Sequence, residues 1–221
     1  MPMVVLEEIE QIKAGFLKYT REAFLRLPRL ETPRILDIGC GSGVPTIELA
    51  KLSNGEVTGI DIDQSCIDEF SRKIKEEKLS NRVKAITLSL FEMKFPDENF
   101  DVVWSEGVIG TLEFETSLKV WRRLLKHDGY LVIHYQVSHV ADVLPRIPQL
   151  GYSLAGTVQL PEDVWWTEFY KPLEEKMDTL LHKYGNNEDA LKLLNKFQSE
   201  LDMVKKNPCN FRCAFYIMKK L

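Results

Sequence analysis

The chain has 221 residues, of which 44% are hydrophobic and 28% are charged, and its formal net charge is −4. This composition is ordinary for a folded protein and excludes a fibrous repeat or a disordered chain. Acidic residues outnumber basic ones, 33 to 29, and a protein that binds nucleic acid through its phosphates normally carries a basic excess.

The hydropathy pattern disfavours two further classes, membrane-spanning proteins and secreted proteins with a signal peptide. No apolar run approaches the roughly 18 residues that a membrane span requires. The amino terminus becomes acidic almost at once and lacks the basic and apolar regions of a secretory signal. We therefore expect a cytoplasmic protein with no nucleic-acid partner and no membrane association.

The first predicted elements are helical. Apolar residues between Val4 and Leu27 recur at steps of three and four, which predicts two helices broken around residues 17–20. Strands and helices then alternate. The predicted strands are 34–38, 56–60, 83–88, 100–104 and 130–134, and the helices between them are 44–52, 65–77 and 114–125, with a turn at 127–129. Nearly continuous apolar strands that alternate with helices are typical of a buried parallel sheet.

The last third of the chain has a different pattern. A strand is predicted over 153–160, a charge-balanced helical stretch over 162–206, and a final strand over 211–218. We predict an α/β fold with a doubly wound, mainly parallel seven-stranded sheet. The predicted domains are an N-terminal helical lid (1–33), a cofactor-binding core (34–160), a helical cap inserted between the last two strands (161–208) and a closing core strand (209–221).

The four cysteines, Cys40, Cys66, Cys209 and Cys213, show no disulfide framework. The spacing of the last two is neither a CxxC pair nor a zinc-ribbon pattern. Reduced cysteines in a cytosolic protein are the expected state, and no metal site is predicted.

The end of the first strand carries the strongest signal of a ligand site, the segment Asp37-Ile-Gly-Cys-Gly-Ser-Gly43. Three alternate glycines let the backbone turn sharply and approach a ligand, and the helix that follows directs its free N–H groups toward that ligand. Asp61 comes 20 residues after Gly41, at the tip of the second strand, where a carboxylate accepts hydrogen bonds from ribose hydroxyls.

Two cofactor classes use such a loop. Dinucleotide sites have the spacing G-x-G-x-x-G, whereas this chain has G-x-G-x-G. The carboxylate of Asp37 disfavours a pyrophosphate and favours a cationic group such as a sulfonium or an ammonium. Alternatively, Asp37 braces the loop through hydrogen bonds, and the two roles are compatible.

Four segments together resemble the class I S-adenosylmethionine-dependent methyltransferases, in the order of that family's motifs. They are 35–43, 57–61, 95–104 and 123–132. The segment 160–170 and the closing strand resemble, more loosely, a subgroup of small-molecule methyltransferases of unknown substrate. The resemblance implies a Rossmann-like methyltransferase fold, an enzyme, and S-adenosyl-L-methionine as cofactor with S-adenosyl-L-homocysteine as product.

The resemblance also implies a set of cofactor-binding residues. By this resemblance, the methionine part of the cofactor is held by Asp37, Gly39, Cys40, Gly41 and Gly43. Asp61 binds the ribose, Ile62 packs on the adenine, and Ser89 and Leu90 lie by the adenine amino group. Ser105 follows the fourth strand, near the methionine part of the cofactor. Serine at position 89 departs from the family, which usually has an acidic residue there. Tyr19, which precedes the glycine loop, is a candidate for a lid over the cofactor or for a plain helix start.

Methyl transfer from a sulfonium is an in-line displacement, and a general base is needed only when the acceptor must lose a proton. Glu106 and His134 are the candidate catalytic residues. Alternatively, Glu106 caps a helix or binds the amino group of the cofactor, and His134 makes a hydrogen bond that is purely structural. Trp165, Trp166 and Tyr170 are candidates for an acceptor pocket or for attaching the cap to the sheet.

The resulting prediction is a methyltransferase, a monomer or homodimer, that acts on an oxygen, nitrogen or carbon nucleophile of a small molecule. Two alternatives remain open. One is an NAD-dependent oxidoreductase, and the other is a non-catalytic module that binds S-adenosylmethionine.

Overall fold

The computed structural model describes residues 2–107, 114–207 and 211–221, and within these ranges seven strands form one sheet. The strands are β1 (Arg34–Ile38), β2 (Glu56–Asp61), β3 (Val83–Thr87), β4 (Phe100–Glu106), β5 (Leu125–Gln136), β6 (Tyr152–Gln159) and β7 (Cys213–Lys220). Their order across the sheet is β3-β2-β1-β4-β5-β7-β6. Cys209, one of the four cysteines, lies outside the described residues.

The strand order reverses between β1 and β4. From β1 the chain proceeds outward to β2 and β3, and it then returns to add β4 and β5 on the other side of β1. The pairs β1–β2, β2–β3, β1–β4 and β4–β5 are parallel, whereas β6 and β7 are antiparallel. The predicted seven-stranded sheet is confirmed, and it is mixed. In open α/β sheets the crevice at such a reversal, at the carboxyl ends of the strands, is where ligands bind.

The helices occupy the connections between the strands. They are α1 (Pro2–Lys13), α2 (Leu17–Leu25), α3 (Val44–Leu52), α4 (Gln64–Glu76), α5 (Phe114–Arg122), α6 (Val137–Val140), α7 (Lys171–Tyr184) and α8 (Glu188–Lys206), together with 3₁₀ turns at Ala14–Phe16 and Leu144–Leu150 and a π-helical turn at Trp166–Tyr170. None of them combines the length and apolar character needed to cross a membrane, within the ranges described.

The central strands are apolar because both faces of the sheet are covered. Four consecutive residues of β1, 35–38, are buried, although successive side chains point to opposite faces. Leu36 and Ile38 lie in one core cluster with Val103 of β4 and Leu131 of β5. This packing fixes the carboxyl ends of β1 and β4 side by side, and these ends support the glycine loop.

Several predicted boundaries differ from the structure. The break in the N-terminal helices falls at Ala14–Phe16, before the predicted 17–20. The predicted turn at 127–129 lies inside β5, where Asp128 adopts a left-handed φ of 62° and the pairing with β4 shifts register. A polar Asp-Gly pair is typical of a turn, but here it forms an irregularity within a longer strand. Two short helical segments, 137–140 and 144–150, were not predicted.

The chain divides into two units, and the division differs from the predicted domains. One unit, here called the sheet unit, comprises Tyr19–Gln159 and Ala214–Leu221. The other, here called the helical unit, comprises Met1–Lys18 and Leu160–Cys213. The boundary at Lys18 divides residues 1–33, so that α1 falls in the helical unit and residues 19–25 of α2 fall in the sheet unit. The segment between β6 and β7 contains α7 and α8, and its buried leucines share an apolar core with Val5 and Ile9 of α1.

Candidate cofactor site and active site

The glycine loop, residues 39–43, links β1 to α3. Gly39, Gly41 and Gly43 have φ values of 75°, 52° and 80°, a conformation that residues with a side chain rarely adopt. The backbone N–H groups of Gly39 and Cys40 donate to the carbonyl of Ile60 in β2, at 2.8 and 3.0 Å. The loop is thereby folded back onto the tip of the neighbouring strand.

The helix after the loop begins without a side-chain cap. Gly43 is the N-cap residue of α3 and has no side chain to accept from the first-turn N–H groups. These groups leave a partial positive charge at the loop. A bound ligand with an anionic or polar group is suited to accept from them.

Asp61 ties the tip of β2 to the middle of the glycine loop. One carboxylate oxygen accepts from the N–H of Gly41 at 2.9 Å, and the other accepts from the N–H of Asp63 at 3.0 Å. Each oxygen of an ionised carboxylate has a further acceptor position. Asp61 is therefore held in one orientation and is partly exposed, with capacity left for donors such as ribose hydroxyls.

Two glycines border open space at the carboxyl ends of β1 and β4. A Cβ built on Gly41 or on Gly107 meets no heavy atom within 4 Å in the described part of the chain, and Gly107 has a φ of 85°. Among the described residues, the backbone of Gly41 thus has room for a ligand at the point where the strand order reverses. Gly107 was not among the predicted cofactor residues, and its position directly after the fourth strand was the available signal.

The second strand ends in an apolar surface. Ile62, directly after β2, is 75% exposed, and Phe91, in the loop after β3, is 72% exposed. Exposed apolar side chains at this edge suit the flat face of a base. Ser89 accepts from the N–H of Phe91 at 3.3 Å, while Leu90 packs against the main core. Phe91 was not predicted, because its neighbours Leu90, Met93 and Phe95 are apolar as well and nothing in the sequence marks it as exposed.

Asp37 lies at the carboxyl end of β1 and is 2% exposed. Its carboxyl oxygen accepts from the hydroxyl of Thr46 in α3, at 2.5 Å. Burial raises the pKa of Asp37 to about 7, and the charge of Asp61 adds to this shift. Asp37 thus braces the start of α3 and also places an ionisable group beneath the glycine loop.

Glu106, the last residue of β4, is held by two donors, one from its own strand and one from α2. The indole N–H of Trp104 donates to Oε1 at 2.7 Å, and the hydroxyl of Thr20 in α2 donates to the same oxygen at 3.0 Å. Burial raises the pKa of Glu106 to about 7, helped by the nearby charge of Asp37. The role of Thr20 was not foreseen, because it lies 86 residues away in sequence.

His134 lies in β5 directly beside Glu106. The two residues are partners in the register of the parallel β4–β5 pair, so their side chains project from the same face. The imidazole packs 4.7 Å from the ring of Phe215, and burial lowers its pKa to about 4. The sheet therefore places a neutral imidazole next to a fixed carboxyl group at neutral pH.

Three other predicted residues are buried. The hydroxyl of Ser105 donates to the carbonyl of Ile38 at 3.1 Å, which ties β4 to β1. Cys40 is 6% exposed, and burial raises the pKa of its thiol. Tyr19 is buried within α2, next to Thr20. The hydroxyl of Ser105 thus supports the two strand ends that border the glycine loop, and contacts of these three residues with a cofactor stay a prediction.

The aromatic candidates lie in the helical unit. Trp165 packs 4.7 Å from the ring of Phe16, and its N–H donates to the sulfur of Cys213 at 3.2 Å. The hydroxyl of Tyr170 donates to Glu200 at 3.3 Å. Trp165 and Tyr170 are therefore explained by the core of this unit. Trp166 is partly buried in the π-helical turn, a distortion that often marks functional segments.

Among the residues that the structure describes, no group of three or more His, Cys, Asp or Glu side chains could hold a metal ion. Cys40, Cys66 and Cys213 form no disulfide with one another.

The fold is that of the S-adenosylmethionine-dependent methyltransferases. A methyltransferase of this class from Geobacter sulfurreducens, solved with S-adenosyl-L-homocysteine, matches 92% of this chain and 91% of its own with a TM-score of 0.77. Its sequence identity of 18% means that the likeness concerns the fold alone.

Sequence comparison finds a family match for the central segment. Residues 36–133, which include the glycine loop, Asp61 and Glu106, match the family model described as a methyltransferase domain. The predicted resemblance to methyltransferases is thereby confirmed over this segment.

Two curated relatives carry the same segment. The 27-O-demethylrifamycin SV methyltransferase of Amycolatopsis mediterranei is 35% identical over 143 residues, covering 62% of this chain and 52% of the relative. A sterol 24-C-methyltransferase of Aspergillus fumigatus is 30% identical over 105 residues, covering 47% of this chain and 28% of the relative. The chain thus spans about half or less of the length of these relatives.

Proposed function

We propose that the chain is an S-adenosylmethionine-dependent methyltransferase that acts on a small-molecule acceptor. The observation that carries this proposal is the hydrogen bond from the N–H of Gly41 to the carboxylate of Asp61. It joins an open glycine loop to an oriented carboxylate on the next strand, which is the arrangement needed to hold a nucleoside beside a loop-bound tail. The methyltransferase-domain match over residues 36–133 supports the same conclusion.

The residues present fit the proposed cofactor. Asp61 would accept from the ribose hydroxyls, and Ile62 and Phe91 would cover the adenine with apolar surface. The open backbone at Gly41 would admit the methionine part, and the carboxyl group of Asp37 suits its positive charges. When bound, S-adenosylmethionine supplies a methyl group on a positively charged sulfur.

Glu106 is the proposed proton acceptor for a nucleophile that must lose a proton, such as a hydroxyl. Its two donors, Trp104 and Thr20, fix the direction of the carboxyl group, and a pKa of about 7 suits a general base at neutral pH. His134 would remain neutral and would position the acceptor by hydrogen bonding. An acceptor that loses no proton would use both residues for orientation only.

The aromatic residues that follow β6 are proposed to bind the acceptor. Trp166 is partly buried against the core of the helical unit and has the ammonium of Lys205 5.4 Å from its ring. Trp165 and Tyr170 would contribute by holding the π-helical turn in shape. The relatives act, by their names, on a sterol and on a rifamycin, and this chain is proposed to act on a small molecule rather than on nucleic acid.

The decisive experiment is calorimetric titration of the purified protein with S-adenosyl-L-homocysteine, with NAD titrated in parallel. Micromolar binding of S-adenosyl-L-homocysteine without binding of NAD is expected. Binding of NAD alone would favour an oxidoreductase and refute the proposal, as would binding of neither compound. A screen of small-molecule acceptors with methyl-labelled S-adenosylmethionine then separates an enzyme from a non-catalytic binding module, because only the enzyme transfers label.

The proposal also covers the cellular location of the protein and its oligomeric state. A cytoplasmic location is proposed, because the scattered cysteines show no disulfide framework and reduced cysteines are usual in that compartment. A monomer or a homodimer is proposed, which size-exclusion chromatography with light scattering distinguishes by mass.

A further inference from the structure

Fixing the backbone of the glycine loop in one conformation costs conformational entropy. Three residues with left-handed φ values alternate along it, and glycine loses more conformational freedom than any other residue when its backbone is fixed. The loop must nevertheless present its N–H groups in one arrangement for a ligand. Ser42, between Gly41 and Gly43, is buried, and its contacts therefore decide how firmly this part of the loop is held.

Helix α4 supplies those contacts. The ammonium of Lys73 donates to the hydroxyl of Ser42 at 3.0 Å and to its carbonyl at 3.3 Å. Just before Lys73, the buried ring of Phe70 fills the space that a side chain at position 43 would need, since a Cβ there would lie 1.9 Å from the ring. The same helix therefore holds the loop both by hydrogen bonds and by packing.

The lysine is itself held by an ion-pair network. Lys73 lies 3.5 Å from the carboxylate of Glu69, and the side chains of the two residues are 18% and 6% exposed. Arg72 also donates to Glu69, at 2.7 and 2.5 Å, and these contacts lower the pKa of Glu69, with Arg72 the largest cause. Because Glu69 keeps its arginine, removing the charge of Lys73 leaves no unpaired buried carboxylate.

We propose that Lys73 is a positioning residue for the methyl-donor site, acting through the Ser42 peptide to order the glycine loop before the ligand arrives. It touches the loop from the α4 side and acts on the ligand only through the backbone of Gly41 and Gly43. A preordered loop binds more tightly because less conformational freedom is lost on binding. The inference rests on the proposed function for its ligand, but the order of the loop is a property of the ligand-free protein.

The test compares Lys73→Met with a matched control, Lys119→Met. Lys119 in α5 is also paired with a glutamate four residues earlier, Glu115, and that glutamate also keeps an arginine, Arg146. Both variants thus lose an ion pair between residues four apart on a helix and leave the carboxylate partnered, although the side chain of Lys119 is 62% exposed and that of Lys73 18%. Only the first removes a contact to the glycine loop.

Two readouts are measured. The Kd for S-adenosyl-L-homocysteine is expected to rise about tenfold in Lys73→Met, in line with the loss of charge-assisted hydrogen bonds, and to stay within about twofold of wild type in Lys119→Met. In the ligand-free protein, the amides of Gly41 and Gly43 should exchange hydrogen faster in Lys73→Met only. Lys73→Arg, which keeps the charge and the donors, should restore part of the affinity.

The outcomes separate the two proposals. If the wild type does not bind S-adenosyl-L-homocysteine, the proposed function fails, and the exchange rates of the ligand-free loop still decide the role of Lys73. If the wild type binds and Lys73→Met matches it in affinity and exchange, the positioning role is refuted. Should Lys73→Met not fold, Lys73→Ala takes its place, because it also removes both hydrogen bonds to Ser42, and unchanged exchange at Gly41 and Gly43 in that variant would refute the inference.

Discussion

Removing the carboxylate of Asp61 is the sharpest test of the cofactor site. In the structure this carboxylate accepts from two backbone N–H groups, those of Gly41 and Asp63, and it is proposed to accept two ribose hydroxyls as well. The substitution Asp61→Ala deletes all four hydrogen bonds. The first two concern the free protein, and the second two are made only with the ligand.

The expected magnitude follows from these counts. A hydrogen bond to a charged group contributes about 1.5–3 kcal/mol, and because Asp61 is partly exposed the lower value applies. Two lost ribose contacts then weaken binding by about 3 kcal/mol, which is roughly a 100-fold rise in Kd. The two backbone N–H groups gain water in place of the carboxylate, so the free energy of unfolding should fall by only about 1 kcal/mol.

Asp63 provides a matched control two positions away. Its carboxylate caps α4 by accepting from the N–H groups of Ser65 and Cys66, at 2.8 and 3.4 Å. Asp63→Ala should therefore cost about 1 kcal/mol of stability and leave the Kd for S-adenosyl-L-homocysteine within about twofold. Calorimetry and thermal unfolding of both variants give the two quantities. Equal affinity in Asp61→Ala and wild type, with both folded, would refute the ribose assignment.

Four further predictions concern the same site. Gly41→Ala adds a methyl group where the backbone faces the proposed ligand and where φ is left-handed. Calorimetry should show binding of S-adenosyl-L-homocysteine weakened more than tenfold, and the protein should lose about 1–2 kcal/mol of stability. Retained affinity would count against binding of the methionine part by the glycine loop. The carboxyl pKa values of Asp37 and Glu106, raised to about 7 in the folded protein, make the ionised forms unfavourable there, so stability should fall as the pH rises from about 4 to about 7. Asp37→Asn should flatten that slope in thermal unfolding, and an unchanged slope would show that burial does not shift this group. Glu106→Gln should lower kcat for a hydroxyl acceptor by at least about 100-fold with little change in cofactor affinity, because a general base contributes about that much; an unchanged pH–rate profile would exclude the role. Trp166→Ala should slow turnover more than it weakens cofactor binding, whereas a fall in melting temperature alone would assign Trp166 to packing.

The sequence was sufficient for the central framework of the fold. Strand β1 was predicted with the bounds that the structure has, Arg34–Ile38, and α3 likewise as Val44–Leu52. Apolar runs that are buried on both faces and interrupted by glycine leave little choice of local structure. The seven strands and the glycine loop followed from such local patterns, and the methyltransferase expectation came from the resemblance of four motifs to that family.

The structure alone decided how the candidate site is held together. The carboxyl group of Glu106 is fixed by Thr20, 86 residues away in sequence, and the loop residue Ser42 is held by Lys73, 31 residues away. No periodicity or motif in the sequence records such pairings, because they depend on which helix lies beside which strand end. The helical unit illustrates the same limit, since its N-terminal helix and the segment Leu160–Cys213 are joined only in three dimensions.

What the sequence determined by itself was therefore the chemistry offered by each segment: a glycine loop open to a ligand, an acidic residue at the next strand tip, and apolar strands for one sheet. What the tertiary structure decided was the environment of each group. The pKa values of Asp37, Glu106 and His134 are set by burial, which is a property of the packed chain. Local patterns constrain backbone and residue type, whereas desolvation and long-range hydrogen bonds exist only once distant segments meet.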